Sequence, residues 1–89
     1  MKITEFQWTD ETVLKIEAKH NVRPKEVEEV ALGSPHIRRG REGLYRLYGR
    51  TDAGRYLFVV VRYLGRGLVR PVTARDMTRE DRRLYEESV

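Results

Sequence analysis

The stretch that decides the fold is Tyr56-Leu57-Phe58-Val59-Val60-Val61-Arg62-Tyr63-Leu64. It is rich in β-branched and aromatic side chains, which fit a pleated surface. Its centre, Leu57 to Val61, is apolar without alternation. Such a short continuous run predicts a strand buried on both faces, and hence a central one. Arg62 interrupts the apolar character, and a charge in a central strand is costly unless it is paired.

Turn signals flank this strand. Before it, Thr51-Asp52-Ala53-Gly54 predicts a hairpin turn in which Gly54 supplies positive φ. After it, Gly65-Arg66-Gly67 predicts a second tight turn. Further upstream, Leu44 to Arg50 alternates. Leu44, Arg46, Tyr48 and Arg50 face one way, and Tyr45 and Leu47 the other. Leu68 to Ala74 is the last strand, and Pro71 makes it an edge or a bulged strand at that point, because proline cannot donate to a ladder. His36 to Gly43 reads as either a loop or a weak edge strand, and Lys2 to Gln7 as a possible short strand.

Helices stand on either side of these strands. Trp8-Thr9-Asp10 supplies an N-cap for a helix from about Asp10 to His20, and Asn21 is a left-handed C-cap candidate. A second helix begins at Pro24 and carries Val27, Val30 and Ala31 on one face. Gly33 stops it and Pro35 prevents its resumption. Thr78 caps a final helix with Asp81 at the capping-box position, and Leu84 and Tyr85 are its main apolar contacts. The expected architecture is α+β: two N-terminal helices, an antiparallel meander of three to four strands, and a C-terminal helix. Eighty-nine residues make one domain, 1–89, with a thin core.

Composition excludes several functions. There is no cysteine, so disulfides, thiolate nucleophiles and Cys-ligated zinc are ruled out. Two histidines are too few for a His-based cluster, and neither a metal nor a cofactor is expected. The start lacks a signal-peptide pattern and no apolar run approaches a membrane span, so a cytoplasmic protein without a membrane partner is expected. The net charge of +4 is unevenly placed. Residues 1–33 carry five basic and seven acidic groups, whereas residues 34–89 carry thirteen Arg, no Lys and seven acidic groups. Guanidinium pairs bidentately with phosphate and stacks on bases, so the second half reads as a footprint for nucleic acid or an acidic partner. Biased genome composition also produces Arg-rich surfaces.

Two segments resemble the BrnT family of type II toxins. One is Phe6-Gln7-Trp8, followed by Lys19-His20-Asn21-Val22 and a Glu-rich helix. The other is Arg70-Pro71-Val72-Thr73-Ala74-Arg75, then Met77-Thr78, then Arg82-Arg83-Leu84-Tyr85-Glu86. The likeness runs from Phe6 to Glu86. Thr9, Thr12, Ile16, Asn21, Pro71 and Asp81 depart from the residues usual in that family. The resemblance implies a RelE-like fold, metal-independent RNA cleavage, and neutralisation by a cognate antitoxin.

Metal-free RNA cleavage needs a group that activates the ribose 2′-OH, a cation that stabilises the phosphate, and a donor to the leaving 5′ oxygen. Arg70 and Arg75 are the first candidates for the cationic role; the alternative is a solvated pair or a salt bridge to Glu80 or Asp81. Five positions separate them, so a regular strand points them to opposite faces. They share a site only if Pro71 marks a bulge or Arg75 lies past the strand end. Tyr85 is a candidate proton donor or stacking platform, or else a core residue with its hydroxyl at the rim. His20 is a candidate acid or base, or else a cap on a helix dipole. Arg46, Arg50, Arg62 and Arg79 are candidate RNA contacts. His36 is a weaker catalytic candidate, and Trp8 reads better as a core or staple residue than as a stacking one. Three functions fit: a toxin-type endoribonuclease, an inactive RNA-binding module, and a protein-interaction subunit of a homo- or hetero-oligomer.

Overall fold

A computed structural model describes residues 1–88. The elements in chain order are β1 (Glu5–Phe6), α1 (Asp10–His20), α2 (Pro24–Leu32), β2 (His36–Arg39), β3 (Leu44–Arg50), β4 (Tyr56–Gly65), β5 (Leu68–Asp76) and α3 (Arg79–Ser88). The strands form one sheet in the order β1-β5-β4-β3-β2. β2 to β5 are an antiparallel meander, and β1 adds to β5 in parallel. The α+β class is as expected, with five strands rather than three or four. The additions are the two weakest segments: the stretch from His36 makes an edge strand, and only Glu5 and Phe6 of the N-terminal stretch are strand.

Local signals place the helix ends. Thr9 caps α1, its hydroxyl accepting from the Thr12 backbone N–H at 3.2 Å, and Asn21 closes it at φ 52°. Thr78 and Asp81 form the reciprocal capping box of α3, at 2.9 and 3.0 Å. The hairpin after β3 turns at Gly54, φ 93°.

The core lies between the sheet and α1 and α2. Ile16, Val22, Val27 and Val30 from the helical layer meet Leu47, Leu57, Val59, Val61, Val69 and Ala74 from the strands. Each fully buried Val or Leu contributes about 1.5–3 kcal/mol of transfer free energy. Trp8 packs at the edge of this core and donates from Nε1 to Glu28 at 2.9 Å, which is the core role favoured for it. β4 is central, but its two faces are unequal. Leu57, Val59 and Val61 are fully buried against the helices, whereas Phe58 and Val60 on the other face are only half-buried. Only α3 covers that second face, at one end, and none of its described residues is buried.

Candidate functional site

The second face of the sheet carries most of the strand arginines. A bulge determines its composition. Val60 pairs with Thr73, but Val61 pairs with Pro71, leaving Val72 as the extra residue. Such an insertion resets the alternation of a strand. Arg70 is consequently opposite Arg62, and Arg75 opposite Phe58. Arg62 and Phe58 share one face of β4, so Arg70 and Arg75 share it too, while Pro71 and Ala74 are buried on the helical side. Pro71, which has no N–H, sits next to the irregularity, as expected. Lys15 Nζ on α1 donates to the Val72 carbonyl at 2.8 Å, so the helical layer satisfies the bulge.

Across the sheet the same face presents Arg46 on β3 and, beside it, Arg38 on β2. Two like-charged pairs thus stand directly opposite: Arg38 with Arg46, and Arg62 with Arg70. Such pairs are destabilising. Among the described residues none of the four makes an ion pair. The Nε of Arg46 is buried with no hydrogen-bond partner, a deficit worth about 1–3 kcal/mol. Arg62 donates to the Glu42 carbonyl at 2.5 Å, reaching over the β2–β3 turn. Arg70 instead holds the Gln7 side-chain oxygen from Nε and Nη2, at 2.8 and 2.5 Å. The two guanidinium groups therefore lean apart, and the next row of the face toward α3 is Arg46, Val60 and Thr73.

At the α3 end the arginines are engaged. Arg75 lies 2.6 Å from Asp81 and 4.2 Å above the Phe58 ring. Burial tends to raise the Asp81 pKa, but hydrogen bonds from Arg75 and from the Thr78 backbone and hydroxyl outweigh it and hold the carboxyl below its ordinary value. Of the two readings of Arg75, its geometry in this state is the salt bridge to Asp81. Tyr56 is flanked by Arg50 at 4.8 Å and Arg82 at 3.8 Å, and Tyr85 meets it edge-on at 6.0 Å. Tyr85 thus packs under α3 against the sheet. Arg79 lies on the exposed first turn of α3 and lines a shallow depression with Arg82, Arg83 and Glu86.

His20 is not brought to this face. It ends α1 in the helical layer, and its carbonyl accepts from Arg55 Nη2 at 3.1 Å. Arg55 also binds Asp76 at 2.7 Å, Glu26 at 3.2 Å and the Asn21 carbonyl at 2.8 Å. Its hydrogen bond to Asp76 is the main cause that raises the Arg55 pKa and lowers that of Asp76; for Asp76 burial opposes the shift, and the charges of Arg55 and then His20 assist it. Sequence reasoning gave Arg55 no role, since nothing local to Arg55 reveals partners on three other elements.

Arg38 was also missed. The signal was available, because reading His36 to Arg39 as a strand puts His36 and Arg38 on one face. His36 stacks against Tyr48 at 5.9 Å, and Tyr48 against Phe58 at 5.3 Å. Chemically, the strand residues of this face offer guanidinium groups, aromatic rings and one imidazole, with a single carboxylate, Glu5, at the β1 edge. That set binds anions and stacks on planar groups. Among the described residues no cluster of three or more His, Asp or Glu side chains is placed to hold a metal ion, and no helix is long and apolar enough to cross a membrane.

No family model matches the sequence, and no curated protein matches it. Among solved structures, the chain is similar to the Brucella abortus ribonuclease toxin BrnT, with a TM-score of 0.72 over 85% of this chain and 99% of that one, at 13% identity. The chain has the fold of that toxin. The likeness read from the N- and C-terminal motifs thus has its counterpart in three dimensions.

Proposed function

We propose that this protein is a ribonuclease toxin of the BrnT kind, acting in the cytoplasm as one half of a bacterial type II toxin–antitoxin pair, with RNA and a cognate antitoxin as partners. The observation that carries this reading is the bulge at Val72, which gathers Arg70 and Arg75 onto the face of Arg46 and Arg62. Phosphates of a single strand would run from the Arg62–Arg70 row across the neighbouring row of Arg46, Val60 and Thr73, with Arg50 and Arg79 at the α3 end. Cleavage would proceed by attack of the 2′-OH on phosphorus, breaking the P–O5′ bond and leaving a 2′,3′-cyclic phosphate and a 5′-hydroxyl. Arg70 and Arg75 stabilise the charge on the phosphoryl oxygens, and for Arg75 this requires exchange of the Asp81 carboxylate for phosphate. Tyr85, edge-on to Tyr56 at that end of the face, is the proton donor, and His20, in the helical layer, is withdrawn from the catalytic set.

The experiment is incubation of purified protein with single-stranded RNA in EDTA. Cyclic-phosphate ends should form with the wild type and not with Arg70→Ala or Arg75→Ala. A second reading, RNA binding without cleavage, is favoured by the position of His20 across the sheet, which leaves His36, packed against Tyr48, as the one imidazole on this face. Retained binding with intact RNA would select it.

A further inference from the structure

The outer edge of β2 is free among the described residues. Its register with β3 decides which backbone groups are exposed. Gly40 N–H donates to the Leu44 carbonyl at 2.8 Å. Bonded and non-bonded pairs alternate along an antiparallel ladder, so Arg38–Arg46 and His36–Tyr48 bond inward. Ile37 and Arg39 therefore direct their N–H and C=O groups outward. On the helical side, Ile37 walls a groove of about 640 Å³ with Met1, Ala31, Leu32 and Pro35. Met1 is 48% exposed and Leu32 58% exposed, unusual for large apolar residues so close together. Around this edge stand Arg38, Arg39, Arg41 and Lys2; the acidic groups are Glu42 and, in the depression that Arg38 shares with α3, Glu80, Asp81 and Glu87.

We infer that the β2 edge and its groove are a docking site for an extended acidic segment of a partner protein, which adds to the sheet as a further strand. The exposed backbone groups of Ile37 and Arg39 supply the ladder. Alternate side chains of the incoming strand fall on opposite faces: apolar ones enter the groove beside Leu32, and acidic ones meet Arg38 and its neighbours. A second copy of this chain fits poorly, because antiparallel pairing of two β2 strands through the exposed groups of both Ile37 and Arg39 sets Arg38 against its own equivalent. The site lies on the edge of the sheet and does not depend on the RNA reading.

The probe is a short blocked peptide of alternating Glu and Val, added to the ¹⁵N-labelled protein. The Ile37 and Arg39 amides should shift and become protected from exchange, and a Lys/Val peptide should not bind. Arg39→Pro removes an outward N–H while leaving the inward ladder intact, and should weaken the Glu/Val peptide about fivefold to tenfold; Arg39→Ala should weaken it less. If Arg39→Pro does not fold, backbone N-methylation of alternate peptide residues is the equivalent test on the wild type and should abolish binding. Absence of binding, equal affinity for Arg39→Pro and Arg39→Ala, tolerance of N-methylation, or shifts confined to Arg46 and Arg70 would each overturn the proposal.

Discussion

Asp81 Oδ2 lies 2.6 Å from Arg75 Nη1 and 2.9 Å from the backbone nitrogen of Thr78. One carboxylate oxygen thus caps α3 and ties that helix to the end of β5. Because α3 buries no described residue of its own, this tie and the Tyr56 stack are its main anchors.

The anchorage depends on pH. A carboxyl held below its unfolded value contributes stability above the unfolded pKa, about 3.9 for Asp, and loses it as pH falls through the folded value. Both Asp81 and Asp76 are lowered. Asp81→Asn should reduce the melting temperature at pH 7, and its difference from wild type should shrink below about pH 4. Thr78→Ala should cost about 1 kcal/mol at neutral pH, measured by urea unfolding.

Arg46 carries a buried Nε without a partner and faces Arg38. Replacing it with an apolar side chain of similar length removes both liabilities. Arg46→Met should leave stability unchanged or raise it, while weakening RNA binding. Thermal melts and fluorescence anisotropy on the same samples separate the two effects.

Lys15 holds the bulge carbonyl from α1. Lys15→Met keeps the aliphatic stem and loses the donor, at a cost of about 1 kcal/mol. Because the bulge sets the face of Arg70 relative to Arg75, the variant should also lose RNA affinity without any change at the arginines. Loss of stability with unaltered affinity would show that the register survives without Lys15.

Arg55 joins both N-terminal helices to β5 through Asn21, His20, Glu26 and Asp76. Its removal leaves Asp76 and two carbonyls without this donor, and Glu26 with the Arg23 backbone N–H. Arg55→Met should destabilise the fold by about 2 kcal/mol, with little change in affinity per folded molecule.

Where local chemistry decides structure, the sequence was legible. Thr9, Asn21, Pro24, Gly54 and Thr78 each act at the position assigned to them, because caps and turns are set within a few residues. The central placement of Tyr56 to Leu64 followed from its apolar run. That run overstated the burial of Phe58 and Val60, since periodicity cannot say that α3 covers only one end of the second face. The site was half legible. Pro71 signalled the bulge that unites Arg70 with Arg75, but the separation of His20 is a tertiary fact, set by which side of the sheet α1 occupies. The Asp81 partner of Arg75 was foreseen as one of two choices; the orphaned Arg46 Nε depends on packing from three strands and left no mark on the sequence.

The central claim is that the arginine face of the sheet, across the Arg62–Arg70 row and the neighbouring row of Arg46, holds an RNA backbone. Its most direct test is the salt dependence of affinity for a single-stranded RNA, comparing wild type with Arg46→Met/Arg70→Met and with Lys19→Ala/Lys25→Ala in the helical layer. The sheet double variant should bind more weakly and lower the log–log salt slope by about 1.4, while the helical double variant should match wild type. Equal slopes for wild type and the sheet variant, or an equal loss in the helical one, would contradict the account.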